Sequence, residues 1–169
     1  VIAFGKDMEQ VCPDAWFLNY TNPMCAVTGA LLRGTSIRGV GLCHSVQVCA
    51  PRLLDYVGMA PAQDLQWKVA GINHQGWLLE ISDGGKDLYP EIKKRAAKII
   101  TQARRSGAEK PRDMVRLEMM RHFGYYVTES SEHSAEYMPY WIKGRYPELI
   151  EEFNIPLDEY PRRCVSQIE

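Results

Sequence analysis

The chain has 169 residues, 46% of them hydrophobic and 24% charged, with a net charge of −1. Both signs are spread along it, which leaves no basic footprint for nucleic acid or an anionic membrane surface. No apolar run approaches the roughly 18 residues that span a bilayer, and the length suits one domain or pieces of two.

Val1, Phe4, Met8 and Val11 recur at helical spacing, and Pro13 stops that helix. Ala15 to Tyr20 is a short apolar run expected to form a buried strand. It ends in Thr21-Asn22-Pro23, and a helix follows from Met24 to Leu32, closed by Arg33-Gly34. Val40 to Cys43 reads as a second buried strand, and Ser45 is placed to cap a helix running to about Tyr56, with Pro51 inside it. This rhythm of helices and strands is that of a parallel α/β sheet.

The pattern changes after Pro61, and a domain boundary is expected near residue 60. Leu65 to Ile72 and Trp77 to Ile81 read as strands separated by Asn73-His74-Gln75-Gly76, and Asp83-Gly84-Gly85 is a turn. Ile92, Ala96, Ile99 and Ile100 mark a helix over 90–105. Ser106 to Arg112 is a polar loop, and Met114 to Phe123 is an amphipathic helix ending at Gly124. An acidic stretch and short helical patches complete the chain. No G-x-G-x-x-G fingerprint occurs, although the first third reads like the second half of a nucleotide-binding fold.

Five cysteines, an odd number without a secretory pattern at Val1-Ile2-Ala3-Phe4, point to a reducing cytoplasm and free thiols. Four of the five are expected to be packing residues. Cys43 and His44 stand where a strand stops and a helix begins, which in a parallel sheet is the ligand-binding edge. By spacing alone, a core thiol followed by a capping-region histidine is the simpler reading. His74 follows another apolar strand. A thiol and an imidazole suit a transition metal, but these two lack the local spacing of a zinc site. Glu129, Glu132, His133, Glu136 and Tyr137 form either a site wall or a helix start capped by Ser130 or Ser131. Local physics favours the cap.

Several phrases occur together and in order. They are Asn19-Tyr20-Thr21-Asn22-Pro23-Met24, Gly41-Leu42-Cys43-His44-Ser45-Val46-Gln47, Ala70-Gly71-Ile72-Asn73-His74, Phe123 through His133, and Ala135-Glu136-Tyr137, with Pro156 through Cys164 at the close. Jointly they resemble the central signatures of glycoside hydrolase family 4, especially its alpha-galactosidase branch. The resemblance implies an α/β fold. Residues 1–60 would be the second half of a Rossmann-type NAD-binding domain. Residues 61–169 would be the first part of a lactate/malate dehydrogenase-like catalytic α/β domain.

The resemblance also implies NAD and a divalent metal, usually Mn²⁺, as cofactors, a chemistry outside the two-carboxylate glycosidase scheme. In the family, hydride leaves C3 of the sugar for NAD and a base removes the acidified C2 proton. The glycosidic oxygen is then eliminated, water adds, and the hydride returns. Cys43 and His74 match the metal ligands, and Tyr137 matches the base, its phenol made acidic enough by the metal's charge. His44 takes the place of the acid that assists the leaving group. Asn22 matches a residue near nicotinamide and sugar, and Asn73 shares the substrate wall.

The family's phosphate-binding turn and closing segments are expected upstream of Val1 and downstream of Glu169, so the chain alone is expected to bind NAD poorly. The expected partner is a small sugar, with neither nucleic acid nor membrane involved, and a homo-oligomer is implied. Alpha-glucosides, alpha-glucuronides or alpha-galacturonides are alternative substrates. A hydroxy-acid dehydrogenase and a non-catalytic fragment are the alternatives of other classes.

Overall fold

A computed structural model of the chain describes every residue except Asn73, Ser106, Asp158 and Glu169, and of Glu159 the backbone alone. It divides into two units, Val1–Gln47 and Val48–Glu169.

In the first unit, α1 (Ile2–Val11) packs against α2 (Met24–Gly34), and α2 lies on a two-stranded parallel sheet of β1 (Trp16–Asn19) and β2 (Arg38–Gly41). The core is small: Leu31 and Ile37 are buried, and Gly5 lets α1 approach Leu31 and Thr35 closely. The expected strands form, but not as buried ones, since Trp16 and Leu18 are 58% and 59% exposed. Parallel strands are fully buried only when both faces are covered. Here α2 packs on one face of the pair, and the alternate side chains Trp16 and Leu18 lie on the other, in solvent. The second strand also ends at Gly41 rather than Cys43, so Cys43 lies in the link to α3 (His44–Tyr56).

In the second unit, β3 (Leu65–Ile72), β4 (Gln75–Asp83) and β5 (Lys86–Asp87) form an antiparallel sheet, and β6 (Tyr126–Val127) pairs with β4. A bulge sets which residues of β4 face inward. Lys68 opposes Glu80 but Val69 opposes Leu78, so Leu79 is the extra residue. Strict alternation from Gly76 and Leu78 would drive Glu80 into the core. The bulge shifts the phase by one, buries Ile81, and leaves Glu80 outside, where it pairs with Lys68 at 2.8 Å.

Behind the sheet, α4 (Tyr89–Ala103) buries Ile92, Ala96, Ile100 and Ala103, an i, i+4, i+8, i+11 stripe. Each fully buried isoleucine contributes about 2 kcal/mol. α5 (Met114–Phe123) packs on α4, and Gly124, at φ 84, ends it as the turn chemistry anticipated. The remaining helices are α6 (Ser131–Tyr137), α7 (Glu148–Glu152) and α8 (Glu159–Ile168).

All five cysteines are free, but only Cys49 is buried, and Cys12, Cys25 and Cys164 are exposed. The expectation of four packing thiols therefore fails, because Cys12 ends α1 while Cys25 and Cys164 lie on helix surfaces left exposed among the described residues. Burial pushes the Cys49 thiol up to about 11, which suits a core residue. Among the described residues no helix is long and apolar enough to cross a membrane.

Candidate active site

In the first unit the strands run parallel, so the segments after β1 and β2 leave the same carboxyl edge. Asn19, 2% exposed, organises that edge. Its amide donates to the Met24 carbonyl at 3.3 Å and to Thr28 Oγ1 at 2.9 Å. Its carbonyl oxygen accepts from the backbone N–H and hydroxyl of Thr21, at 3.0 and 2.7 Å. The backbone carbonyl of Asn19 also accepts the N–H of Leu42 at 2.9 Å, tying the Asn-Pro turn to the Cys43 link. Gly41 lets the link pass close to α2: a Cβ there would meet Met24 Sδ at 2.1 Å and Thr28 Oγ1 at 2.8 Å and would have to displace those side chains.

Three of the anticipated residues gather at this edge. Asn22 is exposed in the turn, preceding Pro23 through a cis peptide bond. Cys43 is half-buried immediately before α3, and His44 is exposed in its first turn with its ring 4.7 Å from that of Tyr20. Asn19 and Tyr20 were not among the candidates. A lone asparagine at a strand end carries no signal in the sequence beyond its neighbour Thr21.

In the second unit, β3 and β4 are joined by the two residues 73 and 74 between the paired Ile72 and Gln75. The structure describes His74, at φ 64 in the left-handed region; Asn73 lies outside the described residues. Gly71, at φ 130, permits this tight return, since a Cβ there would lie 2.5 Å from the Gln75 carbonyl.

β6 then delivers the partner of His74. Trp77 opposes Val127, and Thr128 continues the pairing by donating its N–H to the Gly76 carbonyl at 2.9 Å. One step further, Glu129 comes level with the hairpin turn, and its Oε2 meets His74 Nδ1. Glu129 Oε1 accepts the Ser130 N–H at 2.8 Å. Burial alone would raise the pKa of this carboxyl, but the Ser130 N–H and the His74 ring outweigh it and hold the group below its ordinary value.

Ser130 Oγ caps α6 by accepting the His133 N–H at 3.2 Å, the cap anticipated from the sequence. The helix presents His133 and Tyr137 beside His74. Ring centroids are 5.8 Å apart for His74 and His133, 6.3 Å for His74 and Tyr137, and 5.8 Å for His133 and Tyr137. His133 Nδ1 meets Glu136 Oε2 at 2.9 Å. The acidic stretch is thus both cap and wall. Tyr137 is 46% exposed. Its phenol is pushed above its ordinary value, first by partial burial and then by the nearby Tyr160, Glu136 and Glu129.

Arg116 braces this wall from behind. Its guanidinium donates to the Val127 carbonyl at 2.8 Å and the Thr128 carbonyl at 3.3 Å, pairs with Asp113 at 3.3 Å, and lies 4.1 Å from the Tyr126 ring centroid. The Arg116 backbone N–H donates to Ser131 Oγ at 3.2 Å. Neither Arg116 nor Asp113 was singled out beforehand, because an Arg three residues after an Asp on a helix is an ordinary surface pair in sequence.

These features define a class: an α/β protein with a parallel-sheet ligand edge in one unit and a histidine–carboxylate–tyrosine cluster in the other. Family models narrow it further. The model described as family 4 glycosyl hydrolase matches residues 1–59, and that of the family 4 glycosyl hydrolase C-terminal domain matches residues 69–169. The chain belongs to glycosyl hydrolase family 4.

It is 61% identical over 165 residues to the alpha-galactosidase of Bacillus subtilis (strain 168), covering 98% of this chain and 36% of that protein. It is 31% identical over 150 residues to the alpha-galactosidase of Rhizobium meliloti (strain 1021), covering 88% of this chain and 29% of that protein. Among solved structures, the Bacillus subtilis lplD protein superposes with a TM-score of 0.73 at 23% identity, covering 99% of this chain and 41% of that one. A 6-phospho-alpha-glucosidase from gut microorganisms, in complex with NAD and Mn²⁺, superposes with a TM-score of 0.60 at 23% identity, covering 98% and 41%. The chain spans about a third of the length of these curated relatives.

Proposed function

We propose that this chain carries the metal-binding and proton-transfer residues of an NAD- and Mn²⁺-dependent alpha-galactosidase. The observation that supports it most is the second unit's cluster, where a carboxylate-held His74 lies beside the Tyr137 phenol. The 61% identity to an alpha-galactosidase supports the choice of sugar. Residues 1–60 are then the later part of the cofactor domain, and residues 61–169 begin the catalytic domain.

When bound, NAD supplies reversible hydride removal at C3 of the sugar and Mn²⁺ supplies Lewis-acid polarisation of the C2 and C3 oxygens. Cys43 and His74 serve as metal ligands. A thiol and an imidazole are a donor set that suits a borderline divalent ion, and in His74 the Glu129 contact engages Nδ1 and leaves Nε2 for the ion. Tyr137 removes the C2 proton, and His44, exposed at the first turn of its helix, protonates the departing glycosidic oxygen. Asn22 orients nicotinamide and sugar from the Asn-Pro turn, and Asn73 adds to the sugar wall. Five free thiols suit a reducing cytoplasm. A homo-oligomer completes the reading, which sedimentation velocity tests.

The test is a panel of nitrophenyl glycosides assayed with Mn²⁺, NAD and a thiol reductant. The alpha-galactoside is hydrolysed fastest, and omission of NAD or Mn²⁺ abolishes turnover. The Tyr137→Phe variant loses exchange of the C2 proton with solvent. An unchanged exchange rate removes Tyr137 as the base, and preferential turnover of an alpha-glucoside or a uronide replaces the substrate.

A further inference from the structure

We propose that Glu129 is the positioning residue of the metal site: it holds the His74 imidazole with its proton on Nδ1 and so presents Nε2 as the ligand atom. This rests on the assignment of His74 as a metal ligand.

The two nitrogens of a neutral imidazole are not equivalent, and the hydrogen bond made by one decides which carries the proton. A carboxylate oxygen has no proton to give, so the Glu129 Oε2 contact assigns the proton to Nδ1 and the free lone pair to Nε2. Metal-binding histidines commonly rely on such an outer partner, which also fixes the plane of the ring.

Glu129 is itself fixed. Its second oxygen accepts the Ser130 N–H at 2.8 Å. The backbone leading to it is locked on one side by Thr128 N–H to Gly76 O at 2.9 Å and on the other by Arg116 to the Val127 and Thr128 carbonyls. The same sheet pairing that brings Glu129 level with the hairpin fixes its distance from the turn that carries His74. The His74 backbone itself lies in the left-handed region, at φ 64. The N-cap of α6 is Ser130, whose Oγ accepts the His133 N–H, so Glu129 is not the capping residue itself.

The test uses the full chain and two readouts. The first is the long-range ¹H–¹⁵N correlation of the imidazoles in metal-free protein. Four histidines make the His74 pattern assignable by single substitution. The wild type shows the Nδ1–H tautomer at His74, and Glu129→Ala shifts it toward Nε2–H. The second is Mn²⁺ affinity, from the paramagnetic resonance signal of free Mn²⁺. Glu129→Ala weakens binding about 10- to 100-fold. Glu129→Gln, whose amide oxygen can still accept from Nδ1–H, lies between it and the wild type. The midpoint of thermal unfolding, measured alongside, identifies any variant that fails to fold, and the Gln variant then carries the test.

Wild-type Mn²⁺ affinity in Glu129→Ala, alongside loss of binding in His74→Ala, overturns the role given to Glu129. So does a Glu129→Gln variant as weak as His74→Ala with an unaltered His74 tautomer, since that makes Glu129 a direct ligand. If His74→Ala itself binds Mn²⁺ as the wild type does, the failure belongs to the metal-site assignment.

Discussion

Replacing Arg116 with alanine tests whether the wall behind His74 is braced as its contacts indicate. The side chain is only 11% exposed and its Asp113 partner 17%. Truncation removes the Arg116 donor from the Thr128 carbonyl, leaves the Val127 carbonyl with the weak Cys49 thiol donor at 3.9 Å, and uncovers the Tyr126 ring face. It also strands the Asp113 carboxylate. Breaking a buried pair by removing one partner costs about 3–5 kcal/mol. Asp113 keeps the hydroxyls of Tyr126 and Ser131, so the lower end, about 3 kcal/mol, is expected. With a urea slope of about 2 kcal/mol per molar, the unfolding midpoint falls by about 1.5 M. Arg116→Lys lies between, because an ammonium keeps the charge but not the fork that reaches both carbonyls. A midpoint shift below about 0.5 M in Arg116→Ala, with an unchanged slope, refutes the bracing role.

Two further outcomes follow from the second unit. Glu118 is 6% exposed and receives hydrogen bonds from Arg104 at 3.1 Å and Arg121 at 2.5 Å. Burial would raise its pKa, but these two cations hold it below the ordinary value. A depressed carboxylate contributes stability that is present above its unfolded pKa of about 4.3 and is lost as pH falls through the folded one. Urea midpoints measured from pH 6 downward therefore fall less steeply in Glu118→Gln than in the wild type, and equal slopes count against the assignment. Gly71→Ala places a Cβ 2.5 Å from the Gln75 carbonyl at φ 130. It should cost about 1–3 kcal/mol of stability, read as a lowered thermal midpoint. An unchanged midpoint means the hairpin relaxes without strain.

Local chemistry made much of this legible beforehand. Gly124 ended its helix, Ser130 capped the next, and the stripe from Ile92 to Ile100 faced the core, all from short-range rules. What stayed hidden depended on partners distant in sequence. The Leu79 bulge arises where β3 and β4 must reconcile their inward faces, and neither strand alone records it. Glu129 looked like one of several carboxylates near a helix start. Only the pairing of β6 with β4, across 50 residues of chain, brings it to His74. Trp16 and Leu18 mark the opposite case. Their apolar run reads as a buried strand, but burial depends on what covers the sheet, not on the run itself.

Under the roles proposed above, Tyr137 would couple the base to the metal. Partial burial and neighbouring Tyr160, Glu136 and Glu129 push the phenol above its ordinary value, away from the ionised form a base needs. Under the proposed assignment of His74 as a metal ligand, a divalent ion there would oppose that field as the largest local charge. Under the same proposal the acidic wall would attract the cation. Proton abstraction should therefore depend on metal occupancy more steeply than sugar binding does. A Tyr137 ionisation that does not move on addition of Mn²⁺, followed by ultraviolet difference absorption against Tyr137→Phe, would break this coupling.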